Sequence, residues 1–134
     1  MGLLIDSSIL IHFEGLGSDV STYVKGRERE DLFLSVISAS ELLHGVHRAA
    51  NRRIKAKRLA FVEGVLAAIP VLPIDLGVAR SHAQLWADLA QQGKMIGVHD
   101  SWLAATCLAY GLRLATSNLR EFERVPGLDL EKWE

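Results

Sequence analysis

Short, largely apolar runs recur along this chain, and longer stretches with helical spacing separate them. The runs are Leu3–Ile5, Leu32–Val36, Val71–Ile74 and Leu112–Thr116. An apolar run of that length bounded by polar residues reads as a strand buried on both faces. Strands alternating with long helices predict an α/β domain with a mostly parallel sheet of four or five strands. The segment "LDLEKW" near the C-terminus supplies the optional fifth, at an edge. Ligands of such sheets bind beyond the carboxyl ends of the strands. That edge is where candidate functional residues are sought.

The intervening segments read as helices. Ser7 or Ser8 opens one that runs to about Phe13, before Gly15 and Gly17, and a second short one follows from about Ser18. Ser38, with Glu41 three residues on, has the pattern of a capping box, opening a helix that carries Leu42, Leu43 and Val46. Asn51 to about Ile69 forms a long helix with Leu59, Val62, Val65 and Leu66 inward, stopped by Pro70. From Asp75 another runs to about Gln92, with Val78, His82, Leu85, Trp86 and Leu89 at helical spacing and Gly93 closing it. "KMIGVHD" reads as a loop into a helix from about Asp100 to Tyr110, ended by Gly111. A short helix is expected around Arg120–Glu123.

Length and composition narrow the function classes. The 134 residues suit one domain, 1–134, and at 49% apolar content the chain can bury a core. A formal net charge of −1 argues against a bulk electrostatic pull on nucleic acid. The charge is nevertheless uneven: Arg48, Arg52, Arg53, Lys55, Lys57 and Arg58 crowd one segment with no acid among them. A single cysteine, Cys107, precludes an intramolecular disulfide and fits a reducing compartment. The N-terminal apolar run ends at Asp6 without a basic region, unlike a signal peptide, and no apolar stretch nears the roughly 20 residues of a membrane span. A cytoplasmic protein is expected.

Three acids fall at the predicted sheet edge. Asp6 follows the first strand, and no Lys or Arg precedes Lys25 to neutralise it. Glu41 follows the second strand by five residues. Asp100 opens a helix whose next inward positions are Leu103, Ala104 and Cys107. Each acid has a plain local reading. Asp6 can cap the helix after it, Glu41 can be the return arm of the capping box, and Asp100 can cap its own helix. Those readings explain each acid singly, but not why all three share one edge. Clustered carboxylates raise one another's pKa unless a cation neutralises them. Oxygen ligands suit Mg²⁺ or Mn²⁺, and such an ion supports hydrolysis at a phosphate.

Other reactive residues lack partners in the pattern. His44 and His47 lie three apart and His99 precedes Asp100, but zinc sites combine His with Cys or a tighter motif. Cys107 sits on an apolar helical side with no activator beside it. Ser7 and Ser8 lack the G-x-S-x-G context of a hydrolase elbow. Trp86 fits core packing or a dimer contact, and Trp102 and Trp133 can pack or stack on bases. The basic run can be a solvated helix face or a phosphate-binding rim.

Four segments taken together carry a resemblance: "LLIDSSILI", "SASELLHG", "HDSWLAATCLAYG" and "LATSNLREFERVPGLDLEKW". In order and spacing they resemble the PIN-domain nucleases, most closely the VapC-type toxins of toxin–antitoxin modules. The resemblance implies a three-layer α/β/α fold and a ribonuclease dependent on Mg²⁺, with Mn²⁺ as substitute. It further implies a homodimer held inactive by a cognate VapB-type antitoxin. The family's acids match Asp6, Glu41 and Asp100, with Ser7 beside the first and Thr116 at the end of the fourth strand. On this reading Asp6 and Asp100 hold the metal, Glu41 completes the cluster, and Asn118 and Thr116 support water and phosphate. Where many PIN domains have T-x-D, this chain reads Thr116-Ser117-Asn118, so one ion is expected instead of two. Glu121, one turn on, either replaces the missing charge or is a solvated or capping glutamate. A non-catalytic scaffold that binds RNA or protein is the rival. A phosphatase-like use of Asp6 as nucleophile fits less well, because D-x-D is absent.

Overall fold

The computed structural model describes residues 2–18, 21, 24, 25, 27 and 30–132. Strands β1 (Leu3–Ile5), β2 (Leu32–Ser35), β3 (Val71–Leu72), β4 (Arg113–Thr116) and β5 (Leu130–Lys132) form one sheet in the order β3-β2-β1-β4-β5. Every pairing in it is parallel. The chain therefore starts at the sheet's centre, builds outward to β3, and returns to the other side of β1 with β4. That reversal puts a crevice at the carboxyl ends of β1 and β4, where open parallel sheets bind ligands.

Helices α1 (Ser7–Gly15), α2 (Val36–His47) and α3 (Arg52–Ala68) cover one face. Helices α4 (Leu76–Gln92), α5 (Val98–Tyr110) and α6 (Leu119–Phe122) cover the other. Alternation along β1 decides which core each residue joins. Ile5 packs with Ile9, Leu42 and Val62 on the first face, whereas Leu4 packs with Leu89, Leu103 and Phe122 on the second. Leu3, Leu4 and Ile5 are fully buried. Each such side chain contributes roughly 1.5–3 kcal/mol, so the strand that carries Asp6 is held rigidly. Its pairing runs one residue further, because Asp6 N–H donates to the Ala115 carbonyl at 2.9 Å.

Asn51 and Asp75 cap α3 and α4 by accepting from Ile54 and Val78 N–H, both at 2.9 Å. Gly93 and Gly111 end α4 and α5 at φ of 66° and 67°, a left-handed conformation that favours glycine. The predicted edge strand forms as β5 beside β4.

Several expected boundaries shift. β2 stops at Ser35 instead of Val36, and α2 begins at Val36, two residues before Ser38. Ser35 is the cap, accepting from Ile37 N–H at 3.0 Å. The expected Ser38–Glu41 capping box therefore does not form, because Ser38 lies inside the helix, and Glu41 is free of that role. α5 begins at Val98, so His99 and Asp100 lie in its first turn and not in a loop. β3 has only two residues, as Pro73 has no N–H for the ladder. On α3, Val62 and Val65 are buried as expected, but Leu59 is exposed. Trp86, placed with the inward residues of its helix, is 57% exposed. The helix expected from about Ser18 falls partly, and Trp133 wholly, outside the described residues. No helix among those described is long and apolar enough to cross a membrane.

Candidate active site

Asp6 leaves β1 at the central crevice and is buried. It occupies the N-cap position of α1, yet its side chain makes no capping bond. Its carboxylate instead accepts from Thr116 Oγ1 at 2.7 Å and Ser8 Oγ at 2.9 Å, both on Oδ2. Ser7 Oγ lies 3.5 Å from Asp6 Oδ1 and 3.4 Å from Glu41 Oε1, a loose bridge between two of the predicted acids. Local capping thus does not explain Asp6. Three hydroxyls orient its carboxylate, and two of them come from the helix it opens.

Glu41 reaches the same edge from α2. His99 Nδ1 stands 3.5 Å from Glu41 Oε2, so this histidine, read with the loop "KMIGVHD", faces an acid of the cluster. Asp100 enters from α5 and meets Glu121 from α6. Glu121 is fixed by two donors: Gly97 N–H at 2.6 Å on Oε1 and Asn118 Nδ2 at 2.9 Å on Oε2. Asn118 N–H donates in turn to Thr116 Oγ1 at 3.0 Å, so Thr116 links the Asp6 side of the crevice to the Asn118–Glu121 side. The structure brings Asp6, Ser7, Glu41, Asp100, Thr116 and Asn118 to one edge.

The electrostatics follow from this crowding. Asp100 is pushed up to about 7, first by burial, then by the hydrogen bond and charge of Glu121, then by Asp6 and Glu41. Glu121 is held below the usual carboxylate range, chiefly by the Gly97 N–H and further by Asn118 and Asp100. Burial and the surrounding acids therefore disfavour charge on Asp100, whereas its donors favour charge on Glu121. Neither Asp6 nor Asp100 has a Lys or Arg ion-pair partner among the described residues. Arg124 acts only on the Glu121 side.

The donor set fits a small hard cation. It consists of carboxylate, hydroxyl and amide oxygens, and the crowding of acids that raises the half-buried Asp100 is what a cation would relieve. Among the described residues no three acids, histidines or cysteines close into a ready ligand cage. Mg²⁺ tolerates that arrangement, since it keeps several waters and uses one or two carboxylates, whereas Zn²⁺ requires a closer set.

Some contributors escaped sequence reasoning. Ser8, read as a possible helix opener and weighed as a nucleophile, orients Asp6 and also receives Ser117 N–H at 3.3 Å. Gly97 anchors Glu121 through its backbone, which no side-chain pattern announces. His82 supports the opening of α5 from α4: its ring stacks on Trp102 at 3.5 Å and 4°, and its Nε2 lies 2.9 Å from Ser101 Oγ. The only available hint was that Ser101 and Trp102 directly follow Asp100 in the chain. Trp102 is therefore engaged by a histidine. Cys107 is buried, and burial pushes its thiol upward, away from nucleophilic character.

A parallel sheet whose order of strand addition reverses beside its first strand, with acids from four segments at that reversal, defines the PIN class of domain. The PIN domain model matches residues 3–128. The chain is 37% identical over 130 residues to Ribonuclease VapC1 of Rickettsia felis, covering 97% of this chain and 95% of that one. It is also 37% identical over 109 residues to the tRNA(fMet)-specific endonuclease VapC of Salmonella typhimurium, covering 80% and 83%. Among solved structures, DNA-bound VapBC of Salmonella typhimurium superposes with a TM-score of 0.89 at 28% identity, covering 100% of this chain and 99% of that one. This chain belongs to the PIN-domain family, among its VapC ribonucleases of toxin–antitoxin systems.

Proposed function

We propose that this protein is a Mg²⁺- or Mn²⁺-dependent endoribonuclease that acts in the cytoplasm as the toxin of its module. The observation that carries this reading is the convergence of Asp6, Glu41, Glu121 and the half-buried Asp100 at the β1–β4 crevice, with no Lys or Arg paired to Asp6 or Asp100 among the described residues. Asp6 and Asp100 would hold the ion, with Glu41 as an additional oxygen ligand or base. A bound hard cation acidifies a coordinated water and offsets negative charge on a phosphate. Glu41 orients the attacking water and takes its proton. The water oxygen bonds to phosphorus, the bond to the 3′ oxygen breaks, and that oxygen leaves with a proton from solvent. The products are a 5′-phosphate and a 3′-hydroxyl. Thr116 keeps Asp6 in place, and Asn118 supports water and phosphate.

The scaffold reading rests on the uncharged Asn118. It loses ground because Glu121, bonded to that same amide, supplies a carboxylate there. A cognate VapB-type antitoxin is the proposed inhibitor, supported by VapBC relatives of known structure. A homodimer is proposed on the α4–α5 face, where Trp86, Met95 and Val98 are exposed around an apolar cavity of about 230 Å³. Incubation of purified protein with RNA and Mg²⁺ tests the enzymatic reading. Cleavage that persists in EDTA, or in Asp6→Ala, overturns it.

A further inference from the structure

We propose that the basic segment Arg48–Arg58 is a rail for the sugar-phosphate backbone of single-stranded RNA, leading into the active site along the groove between α1, α2 and α3. The inference rests on the nuclease reading for its substrate, but the evidence for the rail is separate. A groove of about 140 Å³ is lined by Glu41 of the acidic cluster, by Glu14, and by Arg48 and Arg58 of the basic run; Arg58 Nε lies 3.9 Å from Glu14 Oε1, which leaves Arg48 as the groove's cation without a carboxylate partner among the described residues. Arg58 Nη1 donates to the Gly45 carbonyl at 3.0 Å, which ties the first half of α3 to the second half of α2. Acidic site and basic run are thus joined by one continuous surface.

Arg58 aside, the charges of the run have no stabilising ion pair among the described residues. Arg48, Arg52, Arg53, Lys55 and Lys57 are exposed, and none pairs with a carboxylate among the described residues. Arg52 and Arg53 open α3, whose first turn contains no acid. The positive end of the helix macrodipole lies there, so cations at those positions are disfavoured. Arg53 and Lys57 are four apart and Arg52 and Lys55 three apart, so like charges also face each other along the helix. A merely solvated face has no reason to concentrate one sign at the wrong helix end in a chain of net charge −1. A polyanionic strand supplies the reason: it must approach a pocket of carboxylates that repels it, and a basic track beside the pocket offsets that repulsion. The opposite face carries no comparable run. On α4 the one cation is Arg80.

The test compares the full-length wild type with the variant R52Q/R53Q/K55Q/K57Q and with R80Q as a same-sign control on α4. Two readings are taken: cleavage of an RNA that the wild type cuts, and equilibrium binding of a labelled single-stranded RNA across a salt series. Circular dichroism melting establishes that each variant is folded. The expected result is a KM raised tenfold or more in the quadruple variant, with kcat changed less than twofold. The slope of log affinity against log salt should fall by about 0.7 for each phosphate that the variant no longer neutralises. R80Q should match the wild type. A folded quadruple variant with wild-type KM and salt slope overturns the rail. If the wild type leaves RNA uncut yet binds it with a salt slope that the variant loses, the rail stands and the nuclease reading falls.

Discussion

Thr116 Oγ1 donates a 2.7 Å hydrogen bond to Asp6 Oδ2, joining residues 110 positions apart at the ends of two adjacent parallel strands. Both side chains are buried. The bond leaves the other Asp6 oxygen facing Ser7 and the crevice. It also makes Thr116 the acceptor for Asn118 N–H. Thr116→Val keeps shape and volume but removes both interactions. It should lower kcat by about tenfold or more, since small displacements of a positioned group are costly, and cost about 1–2 kcal/mol of stability. Steady-state kinetics and urea melting check this, and Thr116→Ser should recover most of the activity. Full activity in Thr116→Val would detach Thr116 from the site.

The raised pKa of Asp100 predicts how the metal-free protein responds to pH. Its folded-state value of about 7 lies above the ordinary 3.8, so between these two values the folded state binds more protons than the unfolded state. Stability then falls as pH rises through that window and is greatest below it. Three pKa units correspond to about 4 kcal/mol at 1.36 per unit, and solvent access to the half-buried group reduces this to about 1–2 kcal/mol. In EDTA, the wild-type urea midpoint should drop between pH 5 and 8, and Asp100→Asn should flatten the drop. Mg²⁺ at pH 8 should raise the wild-type midpoint by binding the folded state alone and leave Asp100→Asn nearly unchanged. An equal response of both proteins to Mg²⁺ would remove Asp100 from the proposed ligands.

The start of α2 yields a contrast between two serines. Ser35 accepts from Ile37 N–H at 3.0 Å, whereas Ser38 Oγ is buried with no hydrogen-bond partner among the described residues. Ser35→Ala should cost about 1 kcal/mol, the ordinary loss of an N-cap. Ser38→Ala should be neutral or slightly stabilising, because it removes an unsatisfied hydroxyl from the core. Thermal melting of the two variants decides, and the reverse order would restore the capping box.

This pair of serines also shows where sequence reasoning loses resolution. Apolar runs identify β1, β2 and β4 because burial on both faces demands them, and the alternation with helices leads to the parallel sheet. The acids Asp6, Glu41 and Asp100 are legible because the carboxyl edge collects whatever follows each strand. Helix starts are not so legible: Ser35 and Ser38 both qualify as caps, and only the end of β2 chooses between them. Backbone donors such as Gly97 have no side-chain signature. Glu121 reads equally well as a solvated residue until α6 turns it onto Asp100 and Asn118. Trp86 follows the inward period of α4 but lies outside it, since the spacing records which residues are apolar and not which neighbour covers them.

The last expectation concerns the cost of the basic segment. If Arg52 and Arg53 sit at the positive end of α3 for the sake of RNA, replacing them with acids should stabilise the fold while weakening RNA binding. Glutamate near a helix N-terminus is favoured by about 0.3–1 kcal/mol per position, and Arg53→Glu also converts the repulsive pair with Lys57 into an attractive i, i+4 pair worth about 0.2–0.5 kcal/mol. Arg52→Glu/Arg53→Glu should therefore gain about 1–2 kcal/mol at low salt, summed from those terms. Because the positions are exposed, the gain should shrink as ionic strength rises and the Debye length falls from about 30 Å at 0.01 M to about 3 Å at 1 M. Urea melts at those two salt concentrations measure the effect. A double variant less stable than the wild type at low salt would mean that the arginines make stabilising contacts in the folded chain, and stability alone would then account for them.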